Sequence, residues 1–275
     1  MKKRIDCRAL DYARKLSVMV SLFLLVEGSP LLLGEATPAA VSAFNAYSKG
    51  VEARLRRQHG SANGFLASVG SDPQGARLRG EELIIERLTP STGADFSGAL
   101  LHHWRGTAFA PGARAADFER LMRDFNSYPQ HFSPQVMQAK VLSQNGDRMQ
   151  AWMRVRQHHV ITVVMDTTYD VAFGRLDVQH GYSISESTRI AEVDAAGTGR
   201  ERVLDANQEH GFLWRLNTYW SYEERDGGLY LQIEAMSLTR SIPHGLGWVV
   251  GPYAESIPRE SLEFTLRSAC NALRH

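Results

Sequence analysis

The sequence predicts an α+β fold centred on an antiparallel sheet, and three observations carry that expectation. First, Phe212–Pro243 reads as one long β-hairpin, with aromatic and aliphatic residues alternating with polar ones on both arms. Its turn, Glu224-Arg225-Asp226-Gly227-Gly228, supplies the positive-φ positions that a tight hairpin needs. Second, strand-like runs follow one another between residues 136 and 193, and short connections of this kind favour antiparallel pairing. Third, Pro258 suits a first helical turn, and Leu262, Leu266, Ala269, Cys270 and Leu273 then form one apolar stripe of a C-terminal helix.

Taken in order, Thr37-Pro38 has the form of a helix start. Val41, Phe44, Tyr47, Val51 and Leu55 recur at helical spacing, and Gly60 stops the run. Residues 61–80, rich in Gly, Ser and Asp, read as loop; Glu82–Leu88 reads as a strand, and 90–98 as a second polar break with a domain boundary. Leu100–Ala110 is a strand ending at Pro111-Gly112. Ala115–Asn126 is a helix with Phe118, Leu121, Met122 and Phe125 on one face, and a turn or short helix follows Tyr128-Pro129. Val136–Ser143, Arg148–His158, Val160–Phe173 and Tyr182–Val193 are strands, the first two joined by the hairpin turn Asn145-Gly146-Asp147. Arg202–Gln208 is a further, weaker strand. In the long hairpin Phe212, Trp214, Leu216, Thr218, Trp220 and Tyr222 share one face, while Leu213, Arg215, Asn217, Tyr219 and Ser221 share the other.

The 275 residues suffice for one large domain with an extension, and the 43% hydrophobic and 22% charged content is that of a globular chain. A net charge of +1 argues against a nucleic-acid partner, which requires a basic surplus. Lys2, Lys3, Arg4, Arg8, Arg14 and Lys15 precede the apolar run Leu16–Val26, and Gly34-Glu35-Ala36 offers small residues for cleavage. Residues 1–36 are therefore expected to be a signal peptide that exports the chain to the periplasm or beyond, with an uncleaved anchor through 16–33 as the alternative. The run is about half the ~20 residues of a membrane span. Cys7 precedes the apolar run, so no lipobox is present, and the exported chain keeps only Cys270. No internal disulfide can then form.

From Ala99 onward the chain resembles the START-like, or SRPBCC, superfamily with its helix-grip fold, which includes polyketide cyclase/dehydrase-like and lipid-transfer proteins. The residues that carry the resemblance are Phe118-Glu119-Arg120-Leu121-Met122 through Asn126-Ser127-Tyr128-Pro129-Gln130-His131-Phe132, Gly211-Phe212-Leu213-Trp214-Arg215-Leu216, Glu234–Pro243 and the closing helix. The resemblance spans about two-thirds of the chain. It implies a curved antiparallel sheet wrapped around the C-terminal helix, with an elongated cavity for a sterol, phospholipid, isoprenoid quinone or polyketide. Residues 99–275 would be that domain and 37–98 an N-terminal helical extension.

Cavity residues are sought among aromatics with a polar handle and among polar groups on mixed faces. They are Trp152, Arg154, Tyr169, Trp214, Tyr219, Trp220, Glu234, Leu238, Trp248, Tyr253, Leu262 and Leu266. Each has a bland counterpart: Arg154, Arg156 and His158 alternate along one strand face and suit solvent equally well. Glu234 invites an ion-pair partner, with Arg215 and Arg189 as the options. His102-His103 and His158-His159 are neighbours pointing to opposite strand faces, so neither clamps a metal, and no H-E-x-x-H or Cys-x-x-Cys occurs. Gly245–Gly251 departs from a dinucleotide loop and reads as a bend; no cofactor is expected. Cys270 on the helix stripe reads as core.

The expected function is binding, and transfer, of a hydrophobic small molecule, with transient membrane contact. Two alternatives stand beside it. A cyclase/aromatase- or hydrolase-type enzyme would bring Arg154, His158, Glu234 and Arg240 together at cavity depth; a protein-interaction module would have a collapsed cavity.

Overall fold

A computed structural model describes residues 34–67, 69, 72–89, 94–96, 98–158, 162–241 and 247–274, and residues 34–275 form one compact unit. Residues 1–33 of the expected signal peptide, Val160 and residues 245–246 lie outside the described residues, as do the side chains of Trp248 and Tyr253; the rest of the expected bend, 247–251, is helical, because the last helix starts at Gly247 and carries Pro258 in its interior rather than in its first turn. Helix α1 (Pro38–Gln58) begins as read: the Thr37 hydroxyl accepts from the Ala40 amide at 3.1 Å, and Pro38 sits in the first turn. Ala40, Phe44, Ser48, Val51 and Leu55 form its buried stripe.

Helix α2 (Asp72–Arg79) occupies part of the segment read as loop. Its sequence, DPQGARLR, lacks an apolar stripe, so periodicity could not reveal it; Leu78 is a fully buried apolar side chain there. Strands β1 (Ile84–Arg87), β2 (Ala94–Asp95) and β3 (Ala99–Pro111) follow, then helix α3 (Ala115–Arg123), a 3-10 turn at Phe125–Ser127 and the short helix α4 (Tyr128–His131). Strands β4 (Val136–Asn145), β5 (Arg148–His158), β6 (Thr162–Arg175) and β7 (His180–Asp194) form a meander. The segment expected as a strand at 202–208 supplies only the two-residue β8 (Arg202–Val203) and a 3-10 turn at Ala206–Gln208. Strands β9 (Arg215–Arg225) and β10 (Gly228–Arg240) are the long hairpin, and helix α5 (Gly247–Ala272) closes the chain.

The strand order is β1-β3-β10-β9-β7-β6-β5-β4, with β2 on β3 and β8 on β7. All these described pairings are antiparallel. The hairpin turn is Asp226-Gly227, both at positive φ (57° and 75°), which matches the twist of the flanking strands. Because β10 pairs along its whole length with β3 and from Gly228 to Leu238 with β9, the last hairpin is locked inside the sheet rather than at its edge.

Both faces of the sheet are covered. One face carries α5 and the α3–α4 segment and holds the largest core cluster, including Phe118, Tyr169, Trp220, Tyr222, Leu231, Ile233, Leu262 and Leu266. On the opposite face Phe44, Val51 and Leu55 of α1 bury Leu101, Tyr219, Met236 and Leu238. A third cluster on that face joins Phe65, Leu66, Val69 and Leu78 to Phe109 and Tyr230. The part of the extension from α1 to α2 is thus a second layer over the back of the sheet, while β1 and β2 join the sheet itself. Each fully buried Leu or Phe here contributes about 1.5–3 kcal/mol of transfer free energy.

Candidate functional site

The register fixes which residues share the face beneath α5. Gly106 of β3 lies opposite Ile233, Ile233 opposite Trp220, Trp220 opposite Ser183, and Ser183 opposite Phe173. Residues directly opposite in a ladder project to the same side. Trp104, two residues before Gly106, belongs to this face, as do Ala151, Met153 and Tyr169 further across. The helix packs tightly on Gly106, where a Cβ would stand 2.6 Å from Leu266 Cδ1 and 3.1 Å from Leu262 Cδ2. At the other side of the sheet Ser261 Oγ donates to Gln157 Oε1 at 3.3 Å, so α5 spans from β3 to the end of β5.

This surface is apolar except for a few groups. Burial pushes the Tyr169 hydroxyl up to about 12. His102 shares the face, with its Nε2 3.4 Å from Thr239 Oγ1. Two polar atoms, Trp104 Nε1 and Ser183 Oγ, are buried without a hydrogen-bond partner among the described residues. Buried polar groups are overwhelmingly paired in folded proteins, which makes two orphans on one apolar face informative.

The back of the sheet carries the main buried charge. Glu234 of β10 is 1% exposed. Its Oε2 accepts from Arg54 Nη2 at 2.5 Å and from His103 Nε2 at 2.9 Å, and Arg105 Nη1 stands 3.7 Å from Oε1. With Nε2 donating, His103 Nδ1 is an acceptor, and the Tyr47 hydroxyl donates to it at 3.0 Å. Burial works to raise the Glu234 pKa, but the hydrogen bonds from His103 and Arg54 and the Arg54 charge hold it below the ordinary carboxylate value. Tyr47 is pushed the other way, by burial first and then by the Glu234 charge. Nearby, Glu52 Oε1 accepts from Tyr219 at 3.0 Å, and His59 Nε2 lies 2.7 Å from Ser221 Oγ. Burial lowers the His59 pKa to about 4. A groove of about 520 Å³ runs between α1 and the β1–β3 side of the sheet, lined in part by Tyr47, Gly50, Arg54, His103 and Arg105.

The residues singled out from the sequence divide between the two faces. Tyr169, Trp220, Leu262 and Leu266 lie together beneath α5. Tyr219, Leu238 and the partly buried Trp214 lie under α1 on the back; Trp214 was expected on the face of Trp220, but it precedes the first residue of β9, so strand alternation does not reach it, and its indole donates to the Gly34 carbonyl at 2.7 Å. Glu234 is also on the back, and its partners are Arg54, His103 and Arg105 rather than Arg215 or Arg189. Arg154 lies opposite Asp166 and is held by Asp166 at 2.7 Å and Glu201 at 2.5 Å; Trp152 shares its parity, away from Met153. Arg154, His158, Glu234 and Arg240 are not linked by any described hydrogen bond or ion pair. Trp104 and Ser183 escaped the sequence reading, because strand parity names two faces without telling which one receives the terminal helix; Tyr47 was read only as part of a helix stripe, and Arg54 on the same helix has no local signal pointing to Glu234. Among the described residues no group of three His, Cys, Asp or Glu side chains is placed to hold a metal ion.

No protein-family model matches the chain, and no curated protein matches it by sequence. Solved structures similar to it include a START superfamily protein from Mycobacterium smegmatis, at 15% identity over 62% of this chain and 97% of that one, TM-score 0.41. A STAR-related lipid transfer protein from Xanthomonas axonopodis is 16% identical over 64% of this chain and 97% of its own, TM-score 0.40. The Zhui aromatase/cyclase from a Streptomyces species is 12% identical over 63% and 94%, TM-score 0.42. With its antiparallel sheet, its terminal helix seated across one face and the C-terminal hairpin paired to β3, the chain has an α+β fold.

Proposed function

We propose that the protein binds a hydrophobic small molecule of the lipid, sterol, isoprenoid quinone or polyketide kind between α5 and the sheet, and carries it unchanged. The observation that supports this reading is the pair of unpartnered buried groups, Trp104 Nε1 and Ser183 Oγ, on an otherwise apolar face. Apolar sites use a small number of placed polar groups to orient what they bind. The Trp104 indole only donates and the Ser183 hydroxyl can do so too, which suits a molecule with acceptor oxygens such as a carbonyl or an ester. Apolar burial at about 25 cal/mol per Å² supplies the affinity without catalytic machinery. Export through residues 1–36 belongs to the same proposal, and the mass of the mature chain tests it.

The test of binding is native mass spectrometry of the chain purified without detergent, followed by solvent extraction. One lipid-like molecule per chain is expected, and Trp104→Phe should weaken a carbonyl-bearing ligand about fivefold, the worth of one hydrogen bond, while leaving a pure hydrocarbon unaffected. A protein that is empty and takes up none of these classes refutes the proposal.

A further inference from the structure

We propose that the groove under α1 is a second binding site, on the opposite face of the sheet from α5, for an uncharged apolar molecule carrying one carbonyl oxygen. Three observations converge on it. The groove, about 520 Å³, is walled by Ala46, Val51, Ala67 and Leu88, which favour an apolar body. Its polar groups are balanced in charge: Arg54 is paired with Glu234, and Arg105 with Glu86 at 2.9 Å. An anionic ligand would therefore meet the buried Glu234 carboxylate behind the arginines, and a cationic one the guanidinium groups themselves. A neutral ligand meets neither penalty.

Gly50 supplies the third observation. It lies in the interior of α1, where glycine weakens a helix relative to alanine. No described atom outside its own helical turn stands within 4 Å of where its Cβ would be, so close packing does not explain it. Gly50 nevertheless lines the groove. Tyr47, Gly50, Arg54 and Gln58 recur along one helix face, and the missing side chain leaves the space between the Tyr47 hydroxyl and the Arg54 guanidinium open. Arg54 is more than a third exposed and gives one N–H to Glu234 and one to Gln58 Oε1. Its five donors exceed those two acceptors, and a carbonyl oxygen in the groove takes one of the others. Tyr47 gives its proton to His103 and keeps its lone pairs for a ligand hydroxyl or a bridging water.

The test uses the full chain and a matched pair of probes, 2-acetonaphthone and 2-naphthoate, titrated by calorimetry at pH 7. The neutral ketone is expected to bind at least tenfold more tightly than the carboxylate. Gly50→Leu should remove one ketone-binding event per chain while raising the melting temperature, since the side chain enters open space. Gly50→Ala, adding a single methyl, is the gentler form of the same comparison. Ketone stoichiometry unchanged in Gly50→Leu, ketone binding absent from the wild type, or ketone affinity exceeded by that of the carboxylate overturns the proposal. Extraction of the Gly50→Leu variant reads the α5 face separately, so that either site can fail without the other.

Discussion

Replacing Glu234 by Gln isolates the buried charge that fastens α1 to the back of the sheet. In the wild type one carboxylate oxygen receives two charge-assisted hydrogen bonds, at 2.5 Å from Arg54 and 2.9 Å from His103. Such bonds are worth about 1.5–3 kcal/mol against about 0.5–1.5 for neutral ones, so each loses roughly 1 kcal/mol when the acceptor is an amide. The other oxygen, 3.7 Å from the Arg105 guanidinium, becomes an NH₂ that faces a donor and adds to the cost. The expected loss is about 2–3 kcal/mol, or roughly 5–10 °C in melting temperature for a domain of this size. Urea unfolding followed by circular dichroism and tryptophan fluorescence measures it. The pH dependence sharpens the test. Glu234 titrates below the ordinary carboxylate value in the folded chain, so its contribution is complete above about pH 4.3 and is lost as the pH falls through the folded value. Gln does not titrate, so the gap between wild type and variant should narrow as the pH drops from 5 to 3. A gap under about 0.5 kcal/mol at pH 7, or one that widens on acidification, would refute the assignment of Glu234 as an ionised anchor.

Three further outcomes follow from the geometry. His59, stacked on Tyr182 at 4.4 Å and held near pKa 4 by burial, takes up its proton more readily once unfolded; stability should fall by about 3 kcal/mol between pH 6.5 and 4, and His59→Phe should flatten that slope in denaturation curves. Gly106→Val should cost about 1–3 kcal/mol of overpacking, because its Cβ would press on Leu266, Leu262 and Ile85; unchanged stability would mean α5 does not rest on β3. Glu192, 4% exposed, accepts from the backbone amides of His210, Gly211 and Phe212 and from His210 Nδ1. Glu192→Ala should therefore cost about 3 kcal/mol and speed amide exchange at 210–212 at least tenfold.

Legibility followed periodicity. The strands β4 to β7, the β9–β10 hairpin and the stripe of α5 were all visible because alternation and helical spacing survive in a single sequence. Helix α2 was not, since its eight residues have no apolar stripe and are held by one buried leucine and by neighbours far along the chain. The strand expected at 202–208 shrank to two residues and a turn, its composition being polar enough to suit either.

For the site, alternation correctly separated Trp220 from Tyr219 and Met153 from Arg154, and chemistry singled out Glu234 as a residue needing a partner. The identity of that partner lay 180 residues away in α1, beyond any local signal. What the sequence by itself determined is the α+β class, the order of the elements and the two-sided character of each strand, because these follow from the backbone period and from turn chemistry. Only the tertiary structure decided which side meets the terminal helix and which the first helix. That choice depends on how two separate apolar stripes, on α1 and on α5, divide one sheet between them, and it is fixed by packing rather than by any residue's own preference.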